Sequence, residues 1–226
     1  MNEFSTITHL VIVSSMAIVP VYLFTTYLKA GIGWKKSLLL TLGIIIYSTV
    51  MLLFILRWQF VVNSHYLNAV IMLASLALPP TLVLAWPNFF VPEKISLVWL
   101  LGVQAFRVIG GLYLLEYFRG NVGSEFAYWA GVGDVITGIA ASVILCIYWF
   151  KNTISEKAVL YTILFGIADF TWAYSIGILS FKTSYQLFSK DVVHATNLYP
   201  IAMIPFLLAP IAMGFMVMTL IKLRRR

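Results

Sequence analysis

Charge is what this sequence has least of. Only 10% of its 226 residues are charged, against about 25% in a typical soluble domain, while 62% are hydrophobic. A soluble fold of this length has no interior large enough to hide that much apolar surface, so lipid must be its solvent. Polar stretches long enough for a separate soluble unit are missing too, and residues 1–226 read as one membrane domain. Cysteine is almost absent. Cys146 alone excludes an intrachain disulfide and any Cys-rich metal site, and within its apolar run it is expected to be a small buried residue. Catalytic signatures are lacking: there is no HExxH, GxSxG, Walker A or GxGxxG motif, which leaves the question of an enzymatic activity open. The opening segment MNEFSTITHL has no Lys or Arg, whereas a cleavable signal peptide needs a positive n-region. The first apolar run is therefore expected to remain as a span.

What is present is a series of long apolar runs. A membrane-spanning helix needs about 20 mostly apolar residues. Residues 8–28, 36–56, 66–87, 95–117, 127–150, 158–180 and 198–221 meet that requirement. The expected fold is all-α: a polytopic, multi-pass bundle of about seven transmembrane helices in the cell membrane. Connections are short except 181–197, which is long enough for a small surface element. One side of the bundle carries Lys29, Lys35, Lys36, Lys94, Lys151, Lys157, Lys222, Arg224, Arg225 and Arg226, and the other only Arg57, Arg119, Lys182 and Lys190. The excess of Lys and Arg marks the cytoplasmic face, which puts the N-terminus outside and the C-terminus in the cytoplasm.

The net charge of +7 does not indicate nucleic acid, because no solvent-exposed segment pairs a basic face with stacking aromatics. Lys222 and the three arginines after it read instead as an anchor on anionic headgroups. The bilayer is thus the expected partner, with a small molecule or ion as a further ligand; no sequence feature sets an oligomeric state. Pro79-Pro80 is expected to break span 3, and Pro200, Pro205 and Pro210 lie in or beside span 7. Carbonyls freed by these prolines need partners in protein or water.

Three ionisable residues fall well inside spans: Arg107, Asp134 and Asp169. Each costs at least about 2.5–3.5 kcal/mol at mid-bilayer, so they are expected to meet one another. Their depths allow it. Arg107 and Asp169 lie ten and eleven residues before the outer ends of spans 4 and 6, roughly 15–16 Å at about 1.5 Å per residue. Asp134 is seven residues inside span 5, roughly 10 Å. The acids share a local pattern, Gly131-Val132-Gly133-Asp134 and Gly166-Ile167-Ala168-Asp169, on antiparallel spans, the layout of inverted repeats around a midplane site. Ala130, Gly131, Asp134, Thr137, Gly138 and Ala141 form one stripe, and small residues there admit a close neighbour. Gln104, Arg107 and Gly111 share a face, with Gly110 beside it, and Asp169 lies near Trp172. The candidate ligand- or proton-binding set is Arg107, Asp134, Asp169, Gln104, Thr137 and Trp172. One arginine does not neutralise two carboxylates, so a proton, a cation or a cationic ligand is expected to complete the balance.

His9, His65 and His194 stand at the starts of spans 1, 3 and 7. None has HxxxH spacing, and they read as interfacial residues ahead of metal ligands. Glu116, in GLYLLEYFRG, reads as part of an interfacial belt. Seven spans with an external N-terminus resemble rhodopsins in helix count and orientation alone. Those proteins hold retinal on a lysine in the middle of the last helix; span 7 has none before Lys222, which excludes a retinal Schiff base. The leading expectation is a small transporter or membrane binding protein. Its rivals are an intramembrane enzyme acting on a lipid-like substrate and a non-catalytic scaffold or sensor. A reporter fused after Arg226 is expected to be active in the cytoplasm; activity on the outer side would show the span count or orientation to be wrong.

Overall fold

The structure, a computed structural model, describes residues 4–58, 65–180, 184–188 and 198–225; of Trp58, His65, Tyr66 and Asn68 it describes the backbone alone. Among the described residues every regular element is helical. We label them α1 (Thr6–Lys29), α2 (Trp34–Trp58), α3 (His65–Ala85), the short α4 (Pro87–Phe90), α5 (Leu97–Phe118), α6 (Ser124–Lys151), α7 (Glu156–Leu179) and α8 (Ile204–Arg224). Six of these are long and apolar enough to cross a membrane: α1, α2, α5, α6, α7 and α8. The chain is built as a multi-pass membrane protein. In α3 the apolar stretch among the fully described residues is Ala69–Ala85. Most of the long connection 181–197 lies outside the described residues.

Serines start three helices. The Ser5, Ser96 and Ser155 hydroxyls accept from the backbone N–H of Thr8, Trp99 and Ala158, each satisfying a donor that a helix N-terminus leaves open. The helix α8 is the axis of the bundle: 78% of its apolar stretch is buried, against 22% for α1 and α2. A helix that is apolar on all sides has its place inside such a packing, and α3, α5 and α7 surround it. It begins six residues later than the apolar run, because Leu198–Ala202 form bends and turns and Pro205 takes a first-turn position, where its missing N–H costs nothing.

Two expectations change here. The pair Pro79-Pro80 does not break α3, which runs through both. And Cys146 is exposed on the outside of the bundle, not buried; α6 turns that face to the surroundings. The prolines are accommodated by tyrosines from neighbouring helices. Pro79 cannot donate to the carbonyl of Ser75, and the Tyr47 hydroxyl on α2 lies 3.4 Å from that oxygen. Pro210 cannot donate to the carbonyl of Phe206, which accepts from the same Tyr47 hydroxyl at 3.1 Å. In the π-helical turn Ile204–Leu208 the missing donor also affects the carbonyl of Pro205, and the buried Tyr174 hydroxyl of α7 donates to it. Tyr174→Phe keeps the ring and removes this donor, so it is expected to lower unfolding stability by about 1–3 kcal/mol. The loss is expected to shrink in a Pro210→Ala background, where the backbone regains an N–H; an undiminished loss would show that the hydroxyl does not substitute for it.

Candidate functional site

The site begins with close approach between α5 and α6. Gly110 and Gly111 have the lowest helix propensity of any non-prolyl residue, and α5 tightens into a 3-10 turn over Phe106–Gly110 as it reaches them. The small stripe of α6 takes this segment against itself. A Cβ on Gly138 would stand 2.5 Å from the backbone nitrogen of Val108, and one on Gly131 3.1 Å from the carbonyl oxygen of Gly110. A side chain on Gly110 would collide with Asp134. Ala130, Gly131, Asp134, Thr137, Gly138 and Ala141 are all buried, as their helical spacing requires.

Arg107 leaves the 3-10 turn and lies between two acids. Its Nε donates to Asp134 Oδ1 at 2.7 Å and its Nη2 to Asp169 Oδ2 at 2.5 Å. The three side chains are only 3%, 8% and 6% exposed, so water screens the ion pairs little. The guanidinium carbon sits 3.7 Å from the ring centroid of Phe170, which adds a cation–π contact. The glycines of the two matching tetrapeptides complete the enclosure across the helix pair. Gly133, one residue before Asp134, lies against the carboxylate of Asp169, where any Cβ would collide. A Cβ on Gly166, three residues before Asp169, would stand 2.5 Å from Arg107 Nη1. Among the described residues Nη1 meets no hydrogen-bond acceptor. Next to the site is a cavity of about 40 Å³ bordered by Arg107, Asp134 and Phe170, by Ser15 of α1 and by Ile204 and Leu208 of α8. It has room for a water or a small ion, since a water needs about 10–15 Å³.

The remaining sequence candidates distribute around this centre. Thr137 is buried, donates to the carbonyl of Gly133 at 2.9 Å and sets its methyl group beside Gly166. Gln104 is fully buried one turn before Arg107, but its Nε2 reaches the carbonyl of Ala212 on α8 at 3.2 Å; it ties α5 to the axis and does not touch the acids. Trp172 is 50% exposed and meets Trp129 edge to face, outside the cavity. The aromatic at the centre is Phe170, one turn after Gly166 on the same face, and that spacing is the signal that points to it. Ser15 and the α8 wall carry none.

A third buried carboxylate lies near the C-terminal end of α5. Glu116 is fully buried and is not part of a belt. It accepts from the backbone N–H of Ser5 at 2.9 Å, from the Thr8 hydroxyl and from Asn121 Nδ2 at 2.8 Å, and Arg119 Nε lies 3.5 Å away. A carboxylate at the start of α1 is placed where the helix dipole favours it, and it pins α1 to α5. Lys222 likewise differs from the expected headgroup anchor: it is buried and donates to the carbonyl of Glu93 at 2.7 Å, while Arg225 forms an ion pair with the Glu93 carboxylate. The half-buried His9 ring stands 3.1 Å from the carbonyl of Ser5 and edge to face with Tyr199. The side chain of His65 and all of His194 lie outside the described residues. Among the described residues no three His, Cys, Asp or Glu gather as metal ligands.

Residues 69–224 match the model of a family described as a domain of unknown function (DUF8737). The chain belongs to this family. The matched region holds Arg107, Asp134 and Asp169 with all the glycines around them, while α1 and α2 precede it. No curated protein and no solved structure matches the chain. The family description carries no chemistry, so function has to be read from the site itself. Gly133→Ala is expected to lower the melting temperature clearly, because its methyl group enters the Asp169 carboxylate. Gly111→Ala, whose methyl group would meet only Val135 at 3.4 Å, is expected to leave it near wild type. Equal melting of the two variants would show that the glycines do not make room for the ion pairs.

Proposed function

We propose that this is a seven-span protein of the cell membrane, with its N-terminus outside, and that the Arg107–Asp134–Asp169 node is the binding centre of a small proton- or cation-linked transporter. The observation that carries this reading is the mismatch of charge and donors within the node. Two carboxylates share one guanidinium, which leaves a negative charge for a proton or cation to balance. The third guanidinium nitrogen still has a donor to offer, and buried donors ordinarily find an acceptor. A group that served only to fix helix register would be expected to match both.

The backbone supports the same reading. Arg107 lies on a 3-10 turn, Asp134 follows a π-helical turn at Ala127–Gly131, and the cavity wall from α8 is the π-helical turn Ile204–Leu208. Such departures from α geometry concentrate at functional sites and hinges, and transporters use interrupted helices around midplane sites. Arg107 holds the acids in place and presents Nη1 to an anionic group or water; Asp134 and Asp169 take the proton or cation.

Thermal stability of the purified full chain tests this. Arg107→Ala is expected to be the most damaging change, since it leaves two buried carboxylates without a counter-ion, a loss of about 3–5 kcal/mol. Asp134→Asn and Asp169→Asn each leave a matched pair and are expected to keep the fold. A panel of sodium, potassium, small organic cations and small carboxylates is expected to contain a class that raises wild-type melting and has no effect on Asp169→Asn. If Arg107→Ala is as stable as wild type at neutral pH while Asp169→Asn unfolds, the acids serve packing alone and the reading fails.

A further inference from the structure

A second cavity, of about 330 Å³, lies away from the node, among α1, α2, α3, α4 and α8. Its walls include Tyr27, Leu39, Gly43, Val83, Phe89 and Gly214, and they present almost entirely carbon. The volume falls within the range of small-molecule sites, about 300–1,000 Å³. Gly43 creates part of it: a Cβ there would meet nothing within 4 Å, so no part of the described chain fills the space. The cleft opens sideways. Leu39 and Phe89 in its wall are 57% and 41% exposed, and in a bilayer that outer surface faces acyl chains.

The mouth has the opposite chemistry. The helix α2 starts about one turn before Leu39 in the wall, after Gly33, which has no side chain to cap it, and its first turn contains no acid. Lys35 and Lys36 occupy that turn instead, although a helix N-terminus disfavours cations. The Lys36 ammonium donates to the carbonyl of Asn88 at 3.5 Å and the Lys35 ammonium stands 5.8 Å from the Trp34 ring centroid, two cations beside a helix start, the kind of end that receives anions. The Lys36 ammonium stands 5.2 Å from the ring centroid of Phe89, which places it over the cleft wall. Trp34 and Trp86 are 61% and 59% exposed beside it, as aromatics at headgroup level are.

An apolar slot open to the bilayer, ending in two lysines and a bare helix start, fits a molecule with a long alkyl chain and an anionic head. We infer that this cleft binds an anionic phospholipid, with one acyl chain along Gly43 and the phosphate on Lys35 and Lys36. Basic pockets between transmembrane helices hold lipid headgroups in this way. The inference stands apart from the transport reading, since Lys35, Lys36 and Gly43 do not line the cavity beside the node.

Full-length protein is purified into micelles carrying phosphatidylglycerol or phosphatidylcholine with the same acyl chains. Bound lipid is then counted by native mass spectrometry and melting is followed in parallel. Wild type is expected to retain phosphatidylglycerol preferentially and to melt higher with it. Gly43→Leu fills the slot without collision, so it is expected to fold normally and lose the retained lipid. Lys35→Ala combined with Lys36→Ala is expected to abolish the preference between the two lipids. The proposal is overturned if folded Gly43→Leu retains phosphatidylglycerol like wild type, or if the lysine variant keeps the preference. It is also overturned if wild type retains both lipids equally, or if lipid-free wild type forms a dimer that Gly43→Leu abolishes, which would assign the cleft to a second copy of the chain.

Discussion

A guanidinium deprived of water must find acceptors within the chain, and Arg107 therefore determines where three helices stand. Its planar fork has donors on more than one edge, so it meets one acid from α6 and another from α7 at once. Bringing those carboxylates within reach of a single side chain requires helix backbones closer together than ordinary side chains permit. Gly110, Gly133, Gly138 and Gly166 provide that approach, each at a point where a Cβ would enter a node residue or the adjacent α5 backbone. The packing of α5, α6 and α7 is in this sense a solution to an electrostatic problem. Phe170 adds its ring face to the same cation.

The same rule operates on uncharged groups around α8. A carbonyl without its helical donor is as unwelcome in lipid as a bare charge is, if on a smaller scale. Tyrosines of α2 and α7 reach across to the carbonyls that Pro79 and Pro210 leave without one. Pro210 thus binds the axis to its neighbours, and Pro79 sets α3 against α2, each by freeing an acceptor that a neighbouring helix serves. Glu116 performs a related task in reverse, offering a buried acceptor to the N–H and hydroxyl donors at the start of α1.

The long helices are legible in the sequence because an apolar run of membrane length has almost no role outside a bilayer, and the node is legible because charges are rare in such runs. Depth counting along spans 4, 5 and 6 suffices to bring Arg107, Asp134 and Asp169 to one layer. Side-chain direction around each helix is harder to read. The i+3 helical spacing from Asp169 favours Trp172 over Phe170, whereas the turn containing Gly166 is the better guide. Glu116 sits at a span end, where composition suits a belt equally well, and two of its donors come from residues 5 and 8, more than a hundred positions earlier. Pro79-Pro80 shows the limit of local rules: the helix continues through both prolines, with a hydroxyl from another helix beside the carbonyl that Pro79 leaves without a donor.

The central position of α8 has a consequence for biogenesis. The ribosome releases α1 to α7 before the segment that becomes their common core, and the carbonyl acceptors of Pro205 and Phe206 arrive with it. Until then the inner faces of α3, α5 and α7 have only lipid or one another to contact. The node residues, by contrast, are all synthesised by Asp169, so the ion pairs can form while the axis is still missing. The order of synthesis thus allows electrostatics to gather three helices before the final helix closes the bundle around them.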